Sequence, residues 1–143
     1  MLSLLVIFGV PIGLGIAVNR KHKGSGYAIM IGAFCFIVSA YVLEQILHGL
    51  VFTAFPNIRD NIVVFCLYGC LTAGLFEETA RLLGLRMLCR KDKSPAVGFA
   101  YGVGHGGIEA ILLAGLTMVN NLMVMYAINS GNTDSLLTGL EGD

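Results

Sequence analysis

Apolar residues along this chain collect in unbroken blocks instead of alternating with polar ones. The blocks cover about 2–18, 27–55, 62–89 and 96–128, and a helix needs about 20 apolar residues to cross a hydrocarbon core of roughly 30 Å. Four transmembrane helices are therefore predicted, the last two long enough to tilt, kink or protrude. The connections are short, so consecutive helices are expected to run antiparallel and to pack side by side. The expected fold is an all-α polytopic membrane helix bundle, one transmembrane domain over 1–128. Residues 129–143, NSGNTDSLLTGLEGD, read as a polar tail, a loop or a truncated continuation.

Charge sets the orientation. The nine Lys and Arg residues and nine Asp and Glu residues cancel overall, but the basic ones cluster. Arg20, Lys21 and Lys23 follow the first block, and Arg86, Arg90, Lys91 and Lys93 follow the third, whereas the loop between the second and third blocks has only Arg59. Basic residues stay on the cytoplasmic side. The first and third connections are thus predicted to be cytoplasmic and the N-terminus outside. The opening MLSLLVIFGV has neither a basic leader nor a small-residue cleavage site, so it reads as a retained span in a multi-pass protein of the plasma membrane.

Composition narrows the function classes. With 56% hydrophobic and 13% charged residues, the chain cannot clothe a soluble domain in polar surface. It has no phosphate-type glycine loop and no basic patch interleaved with aromatics, which argues against nucleic acid as a partner. Cys35, Cys66, Cys70 and Cys89 fall within or at the ends of the blocks without a CxxC pair and read as small apolar residues. In the fourth block Gly98, Gly102, Gly106, Ala110 and Ala114 recur every four residues. Such a ridge suits close helix–helix association, or a backbone that must come near a substrate.

The candidate chemistry is in the third and fourth blocks. An ionised side chain at the centre of a membrane helix costs about 2.5–3.5 kcal/mol on insertion scales, so such groups face protein or water. In LFEETARLLG, Glu77 and Glu78 precede Arg81 by four and three residues, placing both carboxylates within reach of one guanidinium. Two carboxylates beside one arginine leave excess negative charge, the setting of a general acid or base. In YGVGHGGIEA, Tyr101, His105 and Glu109 follow one another at one-turn intervals. Counted from the shared cytoplasmic loop at about 1.5 Å per residue, Glu77 lies roughly 18 Å and His105 roughly 16 Å deep, so the two patches should meet and hold one water. Glu44 and His48, one turn apart in the second block, fall near the outer boundary and suit a stabilising pair.

At FEETAR and GVGHGGIEA the sequence resembles the YhfC-type intramembrane peptidases, which are related to the CAAX prenyl protease and bacteriocin-immunity family, to the PrsW proteases and to the anterior-pharynx-defective subunit of gamma-secretase. The resemblance covers most of the chain, including the VLEQILHG of the second block. It implies an intramembrane endopeptidase in which Glu77 is the leading base, Glu78 and Arg81 its electrostatic and positioning partners and His105 the second water-holding group. Glu109 has no firm counterpart in the CAAX-type pattern, and its place one turn from His105 suits a group that orients it. Arg81 follows the glutamate pair after two residues, as in the PrsW pattern and unlike the EExxxR of the CAAX type. No histidine follows Glu109, and Asn120 and Asn121 are the polar candidates there. The chain is accordingly expected to be part of a larger bundle or a shortened member.

Direct activation of water by glutamate and histidine requires no cofactor and is the favoured expectation. Zinc is the alternative, held by Glu77, His105 and Glu109, although HExxH spacing is missing. The expected partners are a membrane protein or peptide substrate and the lipid bilayer, with association through Gly98, Gly102 and Gly106. A non-catalytic scaffold and an ion-coupled transporter are the competing readings.

Overall fold

The computed structural model describes residues 2–89 and 92–131. The described residues are helical almost throughout, in four membrane-length stretches. The first is α1 (Leu2–Lys21). The second runs over Gly26–Ala54, as α2 (Gly26–Phe36), a π-helical segment (Ile37–Glu44) and α3 (Gln45–Ala54). The third runs over Ile62–Leu88, as α4 (Ile62–Leu83) and a π-helical segment (Gly84–Leu88). The fourth runs over Pro95–Asn129, as α5 (Pro95–Glu109), a π-helical segment (Ala110–Gly115) and α6 (Leu116–Asn129). The predicted blocks match these spans to within a few residues at each end. Most of the polar tail, like Arg90 and Lys91 of the basic loop, lies outside the described residues.

Local chemistry accounts for the helix starts. The Asn61 side-chain oxygen accepts from the amides of Val63 and Val64 at 3.1 and 3.3 Å, capping α4. Pro95 opens α5 at its first turn, where a missing amide hydrogen costs nothing. Asp92 accepts from the Ser94 amide at 2.8 Å just before it.

Packing departs from the expected side-by-side order. The closest helix pair is α2 with α5, while α1 lies along α5, and α4 is held against the π segment of the second span. Two glycines explain the α2–α5 contact. A Cβ on Gly104 would overlap the Ile29 backbone, and one on Gly32 would overlap the Tyr101 carbonyl, so the backbones touch only because neither residue has a side chain. Around this contact Ala28, Ala100, Val97 and Val18 form a small core with Tyr101, which is 1% exposed. The Tyr101 hydroxyl donates to the Ala80 carbonyl at 3.2 Å and so ties α5 to α4 across the bundle.

The four-residue ridge is turned elsewhere. A Cβ on Gly98, Gly102 or Gly106 would meet nothing within 4 Å, and these glycines line a groove of about 630 Å³ shared with Val6, Val10 and Leu14 of α1. Gly104→Ala is expected to lower bundle stability by about 1–3 kcal/mol, the range for overpacking, whereas Gly102→Ala leaves it unchanged or slightly higher. Thermal unfolding of the two variants in detergent checks this contrast.

The outer surface is apolar. Leu67, Leu71 and Leu75 on α4 are 59%, 72% and 65% exposed, and they form a stripe at helical spacing that faces lipid. The chain is an integral multi-pass membrane protein.

Candidate functional site

His105 on the fourth span is buried, with 3% of its surface exposed. Helical periodicity puts it one turn after Tyr101 on the face that packs against α2. Its ring lies between Tyr101, stacked at 5.8 Å between centroids, and Phe36, edge-on at 5.3 Å. These two aromatics fix the imidazole plane. Phe36 has no counterpart in the sequence reading, because nothing in the second block marks which of its aromatics turns inward.

Among the described residues neither ring nitrogen of His105 has a hydrogen-bond partner, although both are buried. Buried polar atoms nearly always find one, and an unpaired group costs about 1–3 kcal/mol. Glu77 Oε2 lies 4.0 Å from His105 Nε2. That gap is too long for a direct hydrogen bond and leaves room for a shared third atom.

Glu77 comes from α4. The Arg81 guanidinium lies 3.7 Å from its carboxylate and also pairs with Glu78. The expected sharing of one arginine by two carboxylates is thus present. Glu109 closes the arrangement from the last turn of α5. One ligand atom each from Glu77, His105 and Glu109 lies within 4.8 Å of the other two. The structure therefore brings Glu77, Glu78, Arg81, His105 and Glu109 together. The depth expected from helical rise holds, even though α4 and α5 are not the closest helix pair.

Irregular backbone surrounds this cluster. The π segment of the fourth span begins directly after Glu109, and that of the third begins three residues after Arg81. Such segments recur at functional sites because they re-aim side chains that a regular helix would point elsewhere. No sequence periodicity announced them.

The donor set fits a divalent cation. It offers one imidazole nitrogen and two carboxylate oxygens, the three-ligand set that leaves a fourth position open on zinc. Its charge fits as well. Glu77, Glu78 and Glu109 against Arg81 leave two negative charges with His105 neutral, and a dication cancels them. Cys66 and Cys70 are free and exposed on the outer surface.

Glu44 and His48 form a separate group. His48 Nε2 lies 3.5 Å from Glu44, and its Nδ1 shares a 2.7 Å hydrogen bond with the Tyr68 hydroxyl of α4. His48 also stacks on Phe52, over which the Arg59 guanidinium sits at 4.1 Å. This is the expected stabilising pair. Tyr68 is the partner the sequence did not identify, since a lone tyrosine in an apolar helix signals no particular neighbour.

Comparison with known proteins places this geometry in context. The family described as YhfC intramembrane metalloprotease matches residues 5–142. A protein named Uncharacterized membrane protein YhfC, from Bacillus subtilis (strain 168), is 38% identical over 139 residues, 95% of this chain and 54% of the relative. The chain thus spans about half the length of that relative. No solved structure matches.

Proposed function

The chain belongs to the YhfC intramembrane metalloprotease family, and from that premise we propose that it contributes the water-activating centre of an intramembrane endopeptidase, built on Glu77, His105 and Glu109. The single observation that carries this reading is the convergence of those three ligand atoms within 4.8 Å around an imidazole whose buried nitrogens lack partners. A purely structural polar lock would satisfy its histidine, as His48 is satisfied by Glu44 and Tyr68.

Each residue then has a role. Phe36 and Tyr101 hold the His105 ring so that Nε2 points at Glu77. Glu109 brings a second carboxylate from the same helix. Arg81 pairs with both Glu77 and Glu78 and so fixes the two carboxylates relative to one another. Zinc bound by Glu77, His105 and Glu109 would polarise the scissile carbonyl and acidify a bound water. With Glu77 so engaged, Glu78 is the carboxylate left to accept the proton of the attacking water, and Arg81 positions it for that. The substrate is a membrane-embedded polypeptide, since a site at this depth is reached from within or beside the bilayer. The open ridge of Gly98, Gly102 and Gly106 would let the substrate's helix lie against the α5 backbone.

The test is cleavage of a panel of transmembrane peptides by the purified full-length protein, wild type beside Glu77→Ala and His105→Ala. Loss of cleavage in both variants, with thermal stability retained, supports the proposal. Cleavage that persists in both removes the site from the reaction, and absence of cleavage by the wild type favours a scaffold.

A further inference from the structure

On the cytoplasmic side of the Glu77–Arg81 turn, an open groove of about 650 Å³ separates the end of the third span from the start of the fourth. Glu78 and Arg81 form its inner end, so it is continuous with the cluster described above. Leu85 and Val97 are among its apolar walls. At its mouth are Arg86, Asp92 and Lys93. The Asp92 carboxylate is engaged with the Ser94 amide. Arg86 and Lys93 are exposed, and among the described residues no carboxylate pairs with either. With Arg86 and Lys93 against Asp92, the mouth presents one net positive charge, on side chains that no described carboxylate pairs with, to whatever enters.

The dimensions suit an extended chain. Glu77 and Arg86 are separated by about 14 Å of helical rise, which an extended peptide covers in about four residues. An inner end made of a carboxylate and a guanidinium suits a peptide backbone, which offers both hydrogen-bond donors and acceptors. It does not suit the acyl chains of a lipid, which would lie against charged groups with nothing to offer them. We infer that this groove receives the cytoplasmic continuation of the polypeptide being cleaved, and that Arg86 and Lys93 select substrates with an acidic residue about four positions on the cytoplasmic side of the scissile bond. The inference rests on the endopeptidase reading and names the substrate class of that site. Such selection discriminates sharply, because the segments flanking membrane spans on this side are usually basic.

The test uses the full-length protein in phosphatidylcholine nanodiscs. Two fluorescent peptides share one transmembrane segment and differ in carrying two aspartates or two lysines at the first two positions beyond its cytoplasmic end, about four extended residues from the depth of Glu77. Binding is read by anisotropy in a Glu77→Gln background, so that it does not depend on turnover. The aspartate peptide is expected to bind about five- to tenfold more tightly at low salt, with the preference shrinking as ionic strength rises. Arg86→Glu with Lys93→Glu should invert it. If that pair fails to fold, Lys93→Glu alone, in the connecting loop, should weaken the preference. Equal affinities, or a preference unmoved by these substitutions, overturn the inference. So does a preference erased by phosphatidylglycerol in the nanodisc, which assigns the groove to an anionic lipid. Charge-selective binding by a protein whose wild type cleaves neither peptide overturns the endopeptidase reading instead.

Discussion

Glutamine at position 77 is expected to lower turnover of a transmembrane peptide by about three orders of magnitude, and alanine at position 105 to do the same. Glutamine fills the volume of the glutamate and can still accept a hydrogen bond, so the loss isolates the negative charge. Glu77 is the residue through which the cluster communicates, lying 4.0 Å from His105 and 3.7 Å from Arg81. Because Glu77 and His105 serve one centre, removing both should cost little more than removing either. Two independent residues would instead multiply their losses to about a millionfold. The same series locates the proton acceptor. Glu78→Gln should cost about a hundredfold or more if Glu77 serves as a ligand, and only a few fold if Glu77 is itself the base. Thermal unfolding in detergent separates these effects from misfolding, and His48→Ala, at the outer polar group, should destabilise the bundle while sparing turnover in the molecules that remain folded.

The second large effect is on metal. The full-length protein should retain about one zinc ion per chain, and Glu109→Gln should weaken that binding about a hundredfold or more, since one of three protein donors is lost. Charge argues in the same direction. Three carboxylates and one guanidinium at one depth carry two negative charges in a region where each uncompensated ion is costly. A dication removes that cost and gives the His105 nitrogen a partner. Chelation of the purified protein should abolish cleavage, with recovery on addition of zinc. Competition with a chromophoric chelator measures the affinity. Unchanged affinity in Glu109→Gln would take that residue out of the set.

Much of this arrangement could be read before any coordinates. Four apolar blocks located the spans. Counting helical rise from the third connection put Glu77 and His105 at one level, and they lie 4.0 Å apart. The one-turn spacing of Glu77 and Arg81 foretold their pairing, as did that of Glu44 and His48.

What escaped the sequence depends on rotation and on partners far along the chain. The regular spacing of Gly98, Gly102 and Gly106 marked them as a packing ridge, yet the touching glycine is Gly104, beside Tyr101 and His105 on the buried face. The ridge lies about 100° around the helix from that face, the turn of a single residue. Buried aromatics decided the rotation, and the glycine spacing did not reveal it. The same holds for α5 settling on α2 while α4 rests against the π segment of the second span, because a bilayer supplies no hydrophobic gradient that would order helices by sequence neighbour. The π segments were invisible for a related reason. They shift a hydrogen-bonding register without changing the apolar composition that identifies a span.

The most direct measurement of the central claim is a zinc K-edge X-ray absorption spectrum of the zinc-loaded full-length protein. The account predicts a first shell of nitrogen and oxygen donors at about 2.0–2.2 Å, including one imidazole, and loss of the imidazole signature in His105→Ala. Sulfur scattering at about 2.3 Å, or a spectrum that His105→Ala leaves unaltered, would contradict it.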